Sequence, residues 1–544
     1  MVTNQTTDGA GVAASFNEAT KLQYINLSNK PPLYKTYAEL RAIPLPDVAS
    51  SSGLAMSTLQ SIRGAGQNAT GDGPVTLQTL AELLYHAAAV IRRRNLRDGE
   101  VHYRAAASAG ALYPTEIYVV CGDLDGLRAG VYHFNPLDFT LARLRNGDLR
   151  RWVGAAAQDH AAYPATLVFT TVFWRSAWKY RERGYRYCYW DLGTIAANLT
   201  AAGNAAGAPV GLKFGFVDRS LTGYLGIDGI DEAPSLLATV GSPDGMLNPG
   251  SGDVPGMLPQ ESNDLAAGAL DYPLSREVHL ASWLRTGGDV AIWNGPGENA
   301  RSSDKEELDG TGEHFRPLRS GLDGSFDGDL DLALRPAQSL GDCIRSRGST
   351  RRFATEVMSW EDFRSIIDAA GNAVNAPHLA DGFSPYLSVY LIVNAVTGLN
   401  PGAYYYNRFY NGLRLLREGD FRETAGHLGF EQALPADAAA VAFITADLPL
   451  IEREFGTRGY RMAQTVAGII GGRGYLASHA LGLGATGLTF YDDSVVEFFG
   501  PHSAGQEAVF VVPMGVPHQD NRVRPFRSSL AVSLDSRARG AGQA

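Results

Sequence analysis

A run of four apolar residues, Ile117–Val120, has the character of a buried strand. It follows a Tyr113-Pro114 turn, and every residue of the preceding stretch Ala105–Ala111 is alanine, serine or glycine. Such small side chains let the backbone approach a large planar ligand, because any bulkier group would fill the space that its rings need. The pattern alone also fits a tight turn before a core strand, so it leaves both interpretations open.

The apolar and polar pattern of this region returns later in the chain. Residues 130–150 match residues 402–422 at an offset of 272, and residues 182–209 match residues 456–484 at an offset of about 275. Each member of the second pair opens with Arg-Gly-Tyr-Arg, where we expect a helix to begin. A repeat of this length predicts two copies of one structural unit.

Between the copies the composition changes. The stretch is rich in glycine, aspartate, proline and serine, which predicts a connector with a short ordered patch near Tyr272–Leu284. The sequence therefore divides into an N-terminal lead-in (1–54), a first domain (55–241), a linker (242–340) and a second domain (341–544).

The amino-acid composition excludes several classes of protein function. The 544 residues include 47 basic and 57 acidic side chains, for a net charge of −10, which argues against nucleic acid as the main partner. Three scattered cysteines and eleven histidines without ligand spacing predict neither disulfides nor a metal site. No signal-like N-terminus and no apolar run near 20 residues is present, so we expect a cytoplasmic protein that does not enter a membrane.

The small-residue stretch carries a family resemblance. Ser108–Pro114 reads SAGALYP, follows Arg104 and precedes an apolar strand, and it resembles the signature of the SagB-type (McbC-like) dehydrogenases of the FMN-dependent nitroreductase superfamily. The lead-in segments Phe16–Lys21 and Pro32–Tyr37 are similar to those of such enzymes. The resemblance implies an α+β nitroreductase-like fold, an antiparallel-rich sheet flanked by helices, duplicated in tandem as a pseudo-dimer within one chain that could dimerise again.

The resemblance also implies which residues bind FMN. In the second half, Arg347–Phe353 resembles the opening pattern whose arginine and serine groups hold the FMN phosphate, a role suited to the guanidinium fork. In the first half, the small-residue loop would face the flavin ring. The implied cofactor residues are Arg104, Ser108, Ala109, Gly110, Ala111, Arg347, Ser349, Arg351, Gly487, Leu488, Thr489, Arg522 and Arg524.

The two copies differ at these motifs. The first half has only GAGQNAT at residues 64–70, where a phosphate clamp would lie, and the second half has lost the small-residue loop at residues 380–386. We therefore expect one composite FMN site per chain, with the clamp from the second half and the loop from the first.

Lys179 and Tyr180 are the candidate catalytic pair. SagB-type enzymes carry a Lys-Tyr pair at this place, whereas the second half has Glu454 and Phe455. A nearby ammonium would favour the tyrosinate, which could act as a base. Neighbouring residues point about 100° apart on a helix, so the pair requires a distorted turn if both are to touch substrate. A surface lysine beside a packed tyrosine is the alternative.

The implied activity is an FMN-dependent dehydrogenase or oxidase that converts thiazolines or oxazolines to azoles in a ribosomally made peptide, with a proton and a hydride removed from the ring. The alternatives are another FMN oxidoreductase, such as a nitro or quinone reductase using NAD(P)H or an oxidase of a small biosynthetic intermediate, and a non-catalytic scaffold. The expected ligand is a peptide or small molecule. A cyclodehydratase partner is compatible with the resemblance but is not required by it.

Overall fold

The computed structural model describes residues 27–48, 54–65, 73–96, 99–248, 261–295, 315–318, 337–376, 379, 386–408 and 410–521. Several predicted features lie outside these residues: the first lead-in segment, most of the first-half GAGQNAT stretch, residues 380–385 of the second-half loop, Arg522 and Arg524. Within the described residues, no helix is long and apolar enough to cross a membrane.

The first half contains a seven-stranded antiparallel sheet and a separate two-stranded hairpin. Its strands are β1 (Ala42–Pro44), β2 (Val90–Leu96), β3 (Gly99–Arg104), β4 (Thr115–Cys121), β5 (Gly130–Asn135), β6 (Thr140–Asn146), β7 (Ala165–Val172), β8 (Val210–Lys213) and β9 (Glu232–Val240). Its helices are α1 (Thr58–Ala65), α2 (Leu77–Ala88), α3 (Arg150–Ala157), α4 (Phe173–Tyr180), α5 (Gly184–Ala205) and α6 (Asp218–Leu225). Short 3₁₀ turns cover Leu27–Asn29, Ala109–Ala111 and Arg181–Arg183.

The linker contributes two helices, α7 (Pro273–Ala281) and α8 (Gly287–Asn294), and an edge strand, β10 (Arg316–Pro317). Helix α7 lies within the predicted ordered patch. Helix α8 was not predicted: most of its side chains are polar or small, and it buries only Val290 and Trp293.

The second half repeats the architecture of the first. Its strands are β11 (Leu387–Val393), β12 (Gly402–Asn407), β13 (Gly412–Glu418), β14 (Ala440–Ala446), β15 (Gly484–Ala485) and β16 (Glu507–Gly515). Its helices are α9 (Leu340–Ser346), α10 (Trp360–Ala370), α11 (Arg422–Leu428), α12 (Ala433–Asp437), α13 (Leu448–Phe455), α14 (Arg458–Ala480) and α15 (Asp492–Phe499), followed by a 3₁₀ turn at Gln519–Asn521.

The duplication is visible in strand order and in register. The sheets run β1-β6-β5-β4-β7-β9-β8 and β10-β13-β12-β11-β14-β16-β15, so equivalent strands occupy equivalent places. Tyr118 of β4 lies between His133 and Val168, and Tyr390 of β11 occupies the same position in its own sheet. The expected duplicated α+β fold with antiparallel sheets is confirmed.

The long helices α5 and α14 pack against each other at the centre of the molecule. Both are buried almost throughout, which explains why their sequences carry no clear polar face. Glycines 193 and 468 lie at their crossing, where no space remains for a side chain. Helix α5 therefore lies between the small-residue loop of the first half and the second half of the chain.

Candidate active site

The small-residue loop joins β3 to β4 in a strained backbone conformation. Gly110, Ala111 and Tyr113 have φ angles of 65°, 55° and 47°, in the left-handed region that costs non-glycine residues about 1 kcal/mol or more. The backbone N–H of Arg104 donates to the Tyr113 hydroxyl at 3.0 Å, and the Arg104 guanidinium lies 4.8 Å from the Tyr113 ring centroid. Arg104 is buried and donates to the carbonyl of Leu33, so it braces the loop from within.

Asp191 of α5 fixes the other side of the loop. Its carboxylate accepts the Ser108 hydroxyl at 2.5 Å and the Ala109 N–H at 3.0 Å. Burial raises the pKa of Asp191 to about 7, although both hydrogen bonds oppose the rise. With Tyr113 and Ile195, it lines a small cleft beside the loop. Sequence reasoning missed Asp191, although an acid within the apolar stretch YWDLG was a usable signal.

Lys179 and Tyr180 meet at this loop. They are the last residues of α4, which ends because Arg181 adopts φ 53° and ψ −139°. A Cβ on Gly110 would lie 2.8 Å from the Tyr180 hydroxyl and 3.2 Å from Lys179 Nζ, so both side chains reach the same loop position. The Lys179 Nζ atom lies 5.2 Å from the Tyr180 ring centroid. The helix end therefore lets two adjacent side chains converge.

The environment of Tyr180 differs from the expectation. Burial, together with the neighbouring Tyr187 and Asp191, raises its pKa to about 12. The prediction that the adjacent lysine favours a tyrosinate is therefore wrong, because every cause of the Tyr180 shift raises the pKa of the phenol. Tyr180 is a neutral phenol near pH 7.

A segment of the second half contacts α5 close to Lys179 and Tyr180. Thr489 accepts a hydrogen bond from the Tyr187 hydroxyl at 3.2 Å, and the Tyr187 ring packs edge-on against Tyr180 with centroids 4.5 Å apart. Leu488 pairs with Val511 of β16, which fixes the segment to the sheet. The predicted segment Gly487–Thr489 and the first-half pair therefore border one site.

The predicted phosphate clamp approaches the opposite end of the loop. Arg347 follows α9, is buried, and donates from Nη2 to the carbonyl of Ala105 at 2.9 Å. Its guanidinium lies 5.4 Å from the ring centroid of Tyr475, whose hydroxyl accepts the N–H of Gly487. Ser349 is half-buried, and Arg351 is exposed. The structure thus places Arg347, the first residue of the predicted clamp, against the small-residue loop of the other half.

Two further basic residues lie beside Arg347 and were not predicted from the sequence. Arg92 of β2 donates from Nη2 to the carbonyl of Arg347, and His479 of α14 shares a hydrogen bond with the Ser346 hydroxyl at 3.0 Å. Burial and the neighbouring Arg347 lower the pKa of Arg92 to about 10 and that of His479 to about 4. This end of the site is electropositive.

An ion pair joins the two halves at the start of α5. Arg183 and Arg186, at the start of α5, bind the two carboxylate oxygens of Asp492 at 2.8 and 2.5 Å. These side chains are between 23% and 34% exposed. Glu182, beside them, accepts the N–H groups of Leu274 and Ser275 and so caps the linker helix α7.

The pseudo-symmetric position, at the start of α14, has an equivalent ion pair that is buried. Arg458 and Arg461 bind Asp218 at 2.6 and 3.3 Å, but their side chains are at most 3% exposed. Ser282 of the linker covers them and accepts a hydrogen bond from each arginine. Two similar ion pairs therefore differ in access to solvent.

The linker also packs against the second-half counterpart of the predicted pair. Phe455, the counterpart of Tyr180, packs against Trp293 of α8 with centroids 5.4 Å apart, and the indole N–H donates to the Phe455 carbonyl at 3.0 Å. At the offset of 275, the counterpart of Asp191 is Val466. The residues that define the first site are thus replaced or covered at the second.

Comparison with known proteins decides the family. The sequence profile of the nitroreductase family matches residues 71–242 and 344–516, which gives one match in each half. The chain belongs to the nitroreductase family. A solved structure of a nitroreductase-like protein from Anabaena variabilis superposes with a TM-score of 0.69 at 24% identity, and the match covers 93% of this chain and 99% of that one. Tandem nitroreductase domains therefore have a structural counterpart over nearly their full length.

Two relatives are proteins of the McbC-like branch. The trifolitoxin-processing protein TfxB of Rhizobium leguminosarum is 27% identical over 220 residues, or 39% of this chain and 57% of TfxB. The microcin B17-processing protein McbC of Escherichia coli is 25% identical over 185 residues, or 32% of this chain and 66% of McbC. These matches confirm the resemblance to McbC-like nitroreductases, although they span only part of each relative.

Proposed function

We propose that this nitroreductase is an FMN-dependent dehydrogenase that oxidises azoline rings in a peptide to azoles. The convergence of Lys179 and Tyr180 on Gly110 carries the proposal, because it places two proton-transfer groups against a small-residue loop. The similarity to two proteins named for processing trifolitoxin and microcin B17 supports a peptide substrate. A reductase that only relays electrons has no need for such a pair.

The residues present fit an FMN molecule. The loop presents backbone and small side chains at Ala105–Ala111, which suits the flat face of a ring system. At its far end, Arg347 and Arg92 gather positive charge of the kind that binds phosphate. Ser349 and Arg351 follow Arg347 in the chain and would complete the clamp. The loop and the charge come from different halves, which supports a composite site.

Each member of the pair has a distinct role in this proposal. Tyr180, a neutral phenol, donates a hydrogen bond to the ring nitrogen or adjoining carbonyl of the azoline and so acidifies the neighbouring Cα–H. Lys179, the second group of the pair, would take up that proton at Nζ. Bound FMN would supply the acceptor for the hydride that leaves the adjacent ring carbon. The lost proton and hydride together account for the two hydrogens that separate azoline from azole.

We further propose one FMN per chain. Phe455 and Glu454 lack the chemistry of the catalytic pair, and Trp293 occupies the space beside Phe455. The closed ion pair at Asp218 restricts access to the same corner. Both observations support a single working site.

The test is a flavin stoichiometry followed by an activity assay. The purified protein, reconstituted with FMN, is denatured and its released flavin counted per chain; we expect about one, consistent with the composite site. An azoline-containing peptide should then lose two hydrogens, measured by mass spectrometry. Two FMN per chain would contradict the single site, and no flavin after reconstitution would contradict the enzyme proposal. Flavin reduction by NAD(P)H without azoline oxidation would instead favour a nitro or quinone reductase.

A further inference from the structure

Arg92 occupies an unusual position for an arginine. It lies on β2, within the first-half hairpin that precedes the loop, and is only 8% exposed. Its Nη2 reaches across to the second half and donates to the Arg347 carbonyl. Its Nε is buried without a hydrogen-bond partner. A buried donor without a partner costs about 1–3 kcal/mol, and more when it is charged, so the Arg92 Nε calls for a partner such as a bound anion.

The surroundings of Arg92 concentrate positive charge. The neighbouring Arg347 lowers the pKa of Arg92, and both arginines lower the pKa of His479. Within the described part of the chain, no carboxylate contributes to the pKa shift of any of the three. Buried like charges are unfavourable unless an anion compensates them. The cluster therefore has the charge and burial of a site for a multiply charged anion.

We propose that Arg92 is a phosphate ligand of the cofactor, so that one phosphate is held between an arginine of the first half and Arg347 of the second. This inference rests on the proposed function, since it needs a phosphorylated flavin. With Nη2 on the Arg347 carbonyl, the Arg92 guanidinium still has Nε and Nη1 to donate to phosphate oxygens. The same carbonyl contact fixes the spacing between the two arginines. Binding of the phosphate would then join the two domains directly.

The test compares FMN with riboflavin, which lacks the phosphate. Binding to apoprotein is followed by quenching of flavin fluorescence for the wild type, Arg92→Gln and Arg92→Lys. We expect Arg92→Gln to weaken FMN binding about ten-fold to a hundred-fold and to leave riboflavin binding within about two-fold, because a charge-assisted hydrogen bond is lost. Arg92→Lys should recover part of the loss. Arg94→Gln, an exposed arginine of the same strand, is the matched control and should change neither affinity.

Three outcomes separate the possibilities. If Arg92→Gln weakens FMN and riboflavin equally, Arg92 is a structural brace for the Arg347 carbonyl and the inference is wrong. If it weakens neither, the phosphate lies elsewhere and the inference is also wrong. If the wild type binds neither flavin, the proposed function itself fails, and this inference with it. As a check that does not need flavin, inorganic phosphate should raise the melting temperature of the wild type more than that of Arg92→Lys.

Discussion

A Cβ on Gly193 would lie 2.6 Å from the Cα of Gly468, so the central helices α5 and α14 touch backbone to backbone. We predict that Gly193→Ala lowers the free energy of unfolding by about 1–3 kcal/mol, because the helices must move apart to admit the methyl group. Chemical denaturation measures the change. Gly474→Ala, on α14 with no atom within 4 Å of the added Cβ, is the control and should be neutral or stabilising by up to about 1 kcal/mol. Equal losses in both variants would contradict the close contact.

The catalytic assignment predicts a separation of turnover from cofactor binding. Tyr180→Phe and Lys179→Ala should each lower kcat for azoline oxidation by about 10²–10⁴, since each removes one proton-transfer group. Flavin content should stay at the wild-type value. Glu454→Gln, at the position equivalent to Lys179, should leave kcat unchanged. If either variant kept the wild-type kcat, the substituted residue would have no part in the proposed mechanism.

The buried Asp191 predicts a pH dependence of stability. Its folded pKa of about 7 lies above the ordinary value of 3.8, so the folded state binds more protons than the unfolded state between these values. Its contribution to stability is therefore fully present below about pH 4 and is lost as the pH rises toward 7, by at most about 4 kcal/mol. Asp191→Asn should remove this slope, so that between pH 4 and 8 the free energy of unfolding of the wild type falls relative to that of the variant, as denaturation curves would show. Parallel curves would mean that Asp191 titrates normally.

The two ion-pair corners offer an internal comparison. Asp218→Asn should destabilise the protein by about 3–5 kcal/mol, because it leaves two buried arginines without their carboxylate. Asp492→Asn breaks the equivalent but solvent-accessible pair and should cost about 0–1 kcal/mol. Both values come from the same denaturation experiment. A larger loss of unfolding free energy for Asp492→Asn than for Asp218→Asn would contradict the assignment of the Asp218 ion pair as buried and the Asp492 ion pair as solvent-accessible.

The linker tryptophan predicts a loss of stability without a gain of cofactor. Trp293→Ala should cost about 3–5 kcal/mol, as expected for a buried aromatic side chain. Flavin per chain should remain about one, since the first half has no counterpart of the predicted phosphate clamp and the second half has no counterpart of the small-residue loop. The neighbouring Ile292→Ala, 83% exposed, is the control and should have little effect. A second flavin bound by Trp293→Ala would show that the tryptophan alone blocks that place.

The sequence was most informative where function depends on local pattern. The repeat predicted the duplicated fold, because equivalent strands keep their spacing, and SAGALYP located the loop that Lys179 and Tyr180 approach. The sequence was least informative where two contacting residues are far apart in the chain. Nothing near Arg92 indicates its contact with Arg347, 255 residues away. The tyrosinate expectation was wrong because burial, which the sequence does not reveal, controls the pKa of Tyr180.

The contact between α5 and α14 also has a genetic consequence. In a dimer of identical subunits, a substitution near the crossing appears on both helices at once, so neither side can change alone. In this chain each helix has its own codons. Gly193 and Gly468 can therefore mutate independently, and so can Asp191 and Val466. A mutation that favours ligand binding on one side can therefore persist beside a mutation that favours packing on the other. Saturation mutagenesis of the two helices should give different tolerance profiles at equivalent positions, most of all at Asp191 and Val466.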